Sequence, residues 1–272
     1  MKKISLNLFA LALSTCVVLS CSNNELETNG AEISNPVIEF DYTQLPQTMA
    51  PLSYNNIGAI HNECMDSIEE SNITESQLGE YIWGFIQRRG IMHNIPADSA
   101  LFNQIYPDIR LMRQNIENGT NLNINLPRYF PEYLDSITAT VCSYQIDNER
   151  VRSEILQMAM NVLNNNRMDE ATKYGLLCTM AIANASYAHM TENIEAPLPP
   201  IDGGTIAESK SFWKSFFEGV QKDFWGAASS VATGLITGQY AAAAATGAGL
   251  GAIVAKDALV GGIIGSATPT LH

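Results

Sequence analysis

Basic residues are scarce in this chain: fifteen lysines and arginines stand against 28 aspartates and glutamates, a net charge of −13 at pH 7. That balance argues against nucleic acid as a partner, because phosphate polymers are held by clustered cations that displace their counterions. The usual sequence handles for catalysis are missing too. There is no GxSxG, HExxH, CxxC, P-loop or GxGxxG pattern, so the common hydrolase, zinc-protease, redox and nucleotide-binding arrangements are not written here. No run of alternating apolar and polar residues is long enough to argue for a sheet. Cysteine occurs only five times, too few for a disulfide framework, and 272 residues can bury an ordinary core without one. No cofactor and no metal ion is expected.

At the start of the chain Lys2 and Lys3 precede an apolar run from Ile4 to Leu19, the charge-then-hydrophobic order that a secretory translocon reads. The run is shorter than the ~20 apolar residues a spanning helix needs. It stops at VLSC, where the small Ser20 precedes Cys21. This resembles the lipobox at which bacterial lipoproteins are cut and diacylated. The resemblance implies that residues 1–20 are a lipoprotein signal peptide and that Cys21 is the mature first residue, with a membrane as partner through its lipid. Cys16 follows a threonine and fits the pattern less well. Residues 21–50 open with SNNELETNGAEISNP after the cysteine, a polar and acidic stretch without an aromatic residue. It cannot bury enough apolar surface to offset its ordering entropy and reads as a flexible tether. An acid close to the lipidated cysteine also resembles the surface-export signal of Bacteroidetes-type lipoproteins, although only one is present. The resemblance implies the bacterial cell envelope and its outer membrane, and leaves the periplasmic and the surface-facing orientation both open.

From Pro51 onward the apolar residues recur at helical spacing, so the fold class is all-α. Residues 51–195 read as an acidic helical domain. Ile57, Ile60, Cys64 and Ile68 share a face; Thr74 and Gln77 form a capping-box pattern ahead of the stripe Leu78, Tyr81, Ile82, Phe85 and Ile86. A helix starting after Asp98 is expected to kink or split at Pro107, which removes a backbone donor. Pro131 opens the next helix and Asp147 precedes another. The segment from Asp169 is apolar on most of its circumference between Tyr174 and Tyr187, the pattern of a central buried helix. Residues 196–204, PLPPIDGG in their bulk, carry the strongest boundary signal in the chain and read as a Pro/Gly hinge.

Residues 205–272 read as an amphipathic aromatic helix followed by a Gly/Ala-rich helical hairpin, appended to the helical bundle. Phe212, Trp213, Phe216, Phe217, Phe224 and Trp225 make an aromatic face of the kind that meets a membrane or a protein partner. No charge then appears from Gly226 to Ala255. Within the tail Gly234 and Gly238, Gly247 and Gly251, and Gly261 and Gly265 are four apart, a spacing that puts small residues in one groove and lets another backbone approach. The segment holds few large apolar residues, so it would insert into lipid only marginally. Two placements stay open: the protein's own core, or self-association in a bilayer.

Three further features stand on the residues alone. Cys64, Cys142 and Cys178 remain besides the lipidated cysteine, which permits at most one internal disulfide; packed thiols are the simpler reading. His61 and Cys64 are three apart on one helical face, the minimum for a thiolate–imidazole pair. Asp66-Ser67-Ile68, Asp98-Ser99-Ala100 and Asp135-Ser136-Ile137 resemble the Asp-Ser/Thr-apolar sequon for protein O-glycosylation, which implies Ser67, Ser99 and Ser136 as acceptors.

Taken together, the lipobox, the acidic helical body with LLCTMAIANASYAHM, the FWKSFF helix and the Gly/Ala-rich end resemble a family of Bacteroidetes-type lipoproteins that brings no activity with it. The end also resembles class II bacteriocins, since Leu198 and Ile201 precede Gly203 and Gly204 at the spacing of double-glycine leaders. The expectation is therefore a lipid-anchored, non-catalytic envelope protein that acts by binding or assembly, with a protein partner or self-association through the Gly/Ala tail. The alternative is a membrane-active, bacteriocin-like or pore-forming protein working through residues 205–272. A thiol-dependent enzyme is the third option.

Overall fold

Each apolar stripe becomes a helix by burying its face against another. The computed structural model describes residues 54–71, 73–89, 99–118, 125–143, 147–192, 206–244 and 249–267. Of these, 88% are helical and none lies in a strand, so the protein is all-α and bundle-like. The elements are α1 (Tyr54–Ser71), a 3₁₀ turn (Glu75–Gln77), α2 (Leu78–Arg88), α3 (Ser99–Glu117), α4 (Phe130–Ser143), α5 (Asn148–Leu163), α6 (Glu170–Glu192), α7 (Ile206–Ile236), α8 (Gln239–Ala244) and α9 (Leu250–Ser266).

Local chemistry sets several of the ends. The Asp147 carboxylate accepts from the Arg150 amide at 3.0 Å and caps α5. Asp169 does the same for α6, accepting from the Thr172 amide at 2.9 Å and its hydroxyl at 2.7 Å. Each such cap is worth about 1 kcal/mol to its helix. The Thr74 amide donates to Gln77 Oε1 at 3.0 Å, the return half of a capping box, but the turn it closes is 3₁₀ and α2 starts at Leu78. Pro107 does not divide α3, which is one helix from Ser99 to Glu117. The proline lies on the exposed side, while Ile105, Ile109, Met112 and Ile116 are buried on the other. Burial of that shared face on both sides of the proline outweighs the single hydrogen bond it removes.

The register of contacts gives the topology. Gly58 lies against Ala181 and Ala185, Asn62 Nδ2 donates to the Ala185 carbonyl at 3.0 Å, and His189 pairs with Asp66 at 3.0 Å, so α1 and α6 run parallel. Gly175 meets Val231, and Tyr187 meets Phe216 at 5.4 Å between ring centroids, so α7 runs antiparallel to α6. α9 then returns antiparallel along α7 and also touches α1, α2, α3, α6 and α8. Every residue of α9 from Gly251 to Gly265 is buried. The element expected to be central, α6, is buried through most of its length, but α9 is enclosed on all sides, and the two share the middle of the bundle. The expected hinge at 196–204 lies outside the described residues; on either side of it, helices contribute to one continuous core.

Candidate functional site

The centre of the molecule is the crossing of α7 and α9, built from glycine. A methyl group on Gly226 would collide with the Gly261 carbonyl, one on Gly261 with the Gly226 carbonyl and the Ser230 side chain, and one on Gly265 with the Lys222 carbonyl. Bare backbones therefore face each other where side chains would hold two helices 8–10 Å apart. Gly261 and Gly265 form one of the expected pairs, while their partner Gly226 lies outside all of them. It follows Trp225 at the start of the charge-free stretch, and no spacing within one helix shows which residue of another it will meet.

The other glycines of the tail have different surroundings. Gly234 is occupied by the Tyr240 ring, which leaves no room for a side chain. Gly238 sits in the turn between α7 and α8 with φ +73 and open space around it, so its role is conformational. Gly251 is buried in α9, and Gly247 lies outside the described residues. Gly238 is thus a turn glycine and not a helix-packing one.

Around this crossing the core carries charge. Lys256 and Asp257, adjacent in α9, are 2% and 0% exposed, with Nζ and Oδ1 2.9 Å apart. The Lys256 ammonium also lies 5.9 Å from the centre of the Trp83 ring. Tyr240 approaches Asp257 and Cys178; burial first, and then the Asp257 carboxylate, keep its phenol well above the ordinary range. A turn further along α9, Gly262 makes room for His61. A methyl there would be 3.2 Å from His61 Cδ2, 3.3 Å from Ile182 Cδ1 and 3.4 Å from the Asp223 carbonyl. The Asp223 side chain accepts from the Ser266 hydroxyl, and Ser186 lies near it, its buried Oγ making no hydrogen bond among the described residues. Four helices thus bring polar groups to one buried point. Asp223 was legible in part, because it shares the spacing of Phe216, Val220 and Ala227 on the buried stripe of α7.

The aromatic residues expected at a membrane or partner contact divide. Phe216, Phe224 and Trp225 are buried and serve the protein's own core. Trp213 and Phe217 are partly covered and stacked on each other at 5.6 Å and 24°. The Phe212 side chain lies outside the described residues, as do Cys21 and the Ser99 side chain. Ser136 is exposed on α4, its hydroxyl donating to the Glu132 carbonyl at 2.8 Å. Ser67 is partly buried and its hydroxyl meets that of Tyr81, so the two serines differ in access.

His61 and Cys64 do not share a chemical setting. His61 Nδ1 pairs with Asn62 Oδ1 at 3.0 Å and its ring edge lies against Gly262. The Cys64 thiol is buried and pushed up to about 12, by desolvation against a smaller opposing pull from Arg88. Burial pushes Cys178 up as well. A nucleophilic cysteine needs the opposite shift. The parallel register of α1 and α6 sets Cys64 near the level of Tyr187, about 13 Å along the axis from Cys178, beyond the ~7 Å that a disulfide spans between Cα atoms. Cys142 is partly buried beside the Gln221 amide at 3.7 Å, and none of the three thiols is in a disulfide. Among the described residues no group of His, Cys, Asp and Glu is arranged to hold a metal ion.

Comparison of the chain with models of protein families, with curated proteins and with solved structures gave no match. The likeness to Bacteroidetes-type lipoproteins accordingly rests on the residues quoted for it.

Proposed function

We propose that this protein is a lipid-anchored, non-catalytic component of a bacterial envelope, attached to the outer membrane through Cys21 and acting by binding or assembly. The observation that carries the reading is the enclosure of α9, buried from Gly251 to Gly265 against six other helices. A Gly/Ala-rich helix so placed is a packing element of the bundle. No described helix is long and apolar enough to cross a membrane, and in this reading the lipid on Cys21 is the attachment. The membrane-active alternative requires the bundle to open first, because Phe216, Phe224, Trp225 and α9 are all inside it.

The test is fractionation of cells that express the full chain, with and without Cys21→Ser. The unaltered chain is expected in the membrane fraction, released by detergent, with a mass showing the lipid. Cys21→Ser is expected to move to the soluble fraction. If the variant stays with the membrane to the same extent, the lipid is not the attachment and the reading fails.

A further inference from the structure

Several helix threonines in this bundle return their hydroxyl to the carbonyl one turn back. Thr179 donates to the Gly175 carbonyl at 2.9 Å, Thr138 to that of Leu134 at 2.8 Å, and Thr233 to that of Ser229 at 3.0 Å. Ser186 of α6 is 2% exposed and does not: its Oγ has no hydrogen-bond partner among the described residues. His61 Nε2 of α1 is in the same state, in a side chain that is 1% exposed. We infer that a water molecule is held between these two groups as a fixed part of the core, donating to His61 Nε2 and accepting from the Ser186 hydroxyl.

The hydrogen bonds around His61 set what its Nε2 requires. Asn62 Nδ2 donates to the Ala185 carbonyl at 3.0 Å, so the amide cannot turn over without setting its oxygen against that carbonyl. Asn62 Oδ1 therefore faces His61 Nδ1, at 3.0 Å, and accepts the proton that Nδ1 carries. In the neutral ring this leaves Nε2 as a bare acceptor. A ring nitrogen in that state, shut away from solvent, needs a donor.

Packing brings the two groups to one level. Along the parallel pair α1 and α6, Asn62 meets the carbonyl of Ala185, the residue before Ser186. The edge of the His61 ring that carries Nε2 faces Gly262 of α9. A methyl on that glycine would be 3.2 Å from His61 Cδ2 and 3.3 Å from Ile182 Cδ1, and Ile182 is one turn before Ser186 on α6. Glycine at 262 thus keeps side-chain bulk out of this corner. One turn on in α9, the Ser266 hydroxyl donates to the Asp223 carboxyl. Ser186 lies near that carboxyl, which supplies an acceptor for the second O–H of the water.

Water is the occupant that this set of groups specifies. A bare nitrogen, a hydroxyl and a carboxyl call for a molecule with two O–H donors and a lone pair, and buried waters characteristically make about three hydrogen bonds to such groups. The described residues offer no group arranged for a metal ion in its place. The bridge ties α1 to α6 at the level where α9 packs on both.

The experiment is oxygen-17 magnetic relaxation dispersion on the full chain in a mild detergent at about pH 8, where an ordinary imidazole is neutral. The oxygen nucleus reports waters that stay in the protein and is blind to the exchange of serine and histidine protons. Ser186→Val removes the donor and fills its place, and should lower the dispersion by the share of one water. Ser136→Val, at an exposed position on α4, should leave it unchanged. Equal dispersion in the unaltered chain and in folded Ser186→Val, or an equal fall in both variants, overturns the proposal. Should Ser186→Val fail to fold, nitrogen-15 and proton NMR of His61 in the unaltered chain decides. Nε2 is expected without a proton, with cross-relaxation between water and the ring proton on Cδ2. A proton on Nε2, or no cross-relaxation with water, overturns the bridge.

Discussion

Lys256 and Asp257 illustrate how a single residue can matter more by losing its neighbour than by its own contacts. The pair is buried at 2% and 0% exposure with 2.9 Å between the charges, so replacing one partner strands the other. Lys256→Met is expected to destabilise the protein by about 3–5 kcal/mol, and Lys256→Met with Asp257→Asn by less, because no unpaired charge is then left inside. Chemical denaturation of the three proteins measures both. The thiols give a second residue-scale expectation. Cys64 is held at about 12 when folded, against roughly 8.5 in an unfolded chain. The folded state therefore binds the extra proton between those values, and the stability it contributes is complete below about 8.5 and lost as pH climbs toward 12. Melting temperature should fall above pH 9, and Cys64→Ala should reduce that slope. A thiol reagent added to the native protein should label Cys142 before Cys64 or Cys178, since the latter two are fully covered.

At the scale of the element, the same substitution has opposite signs in different helices. Gly226→Ala and Gly261→Ala put a methyl into facing backbone, so α7 and α9 must separate; about 1–3 kcal/mol of stability should be lost at each, as in other overpacked cores. In α2, a methyl at Gly84 meets only the mobile end of Arg88, at 3.2 Å. There Gly84→Ala should stabilise by up to about 1 kcal/mol, the helix-propensity gain. Urea unfolding of the three variants against the parent provides the comparison, and equal effects at all three would remove the case for a glycine crossing. The helices themselves were legible in the sequence, because the spacing of three and four that defines a stripe is local. So were the caps at Asp147 and Asp169. Of the two outcomes open at Pro107, a kink or a split, the split does not occur, since the force that keeps α3 continuous comes from the core beneath it.

For the whole molecule, the decisive relation is that α9 is wrapped by helices that precede it in the chain. α9 and α7 complete the core that α1, α3 and α6 begin, so a chain ending at residue 204 should not keep a folded remainder. Circular dichroism on that truncation should show loss of cooperative melting; a sharp transition would mean that residues 51–195 form an independent unit. The helical class, the acidic balance, the stripes and the order of elements all follow from composition and from short-range periodicity along one chain, so they could be read without coordinates. The sequence left open whether the Gly/Ala stretch faces lipid or protein, because alanine and glycine are compatible with either surrounding. What stands beside each small residue emerges from the packed fold: Gly261 against Gly226, Gly234 against Tyr240, and Gly262 against His61. Those pairings join residues up to about two hundred positions apart, and they arise from filling a shared volume, for which one-dimensional spacing carries no signal.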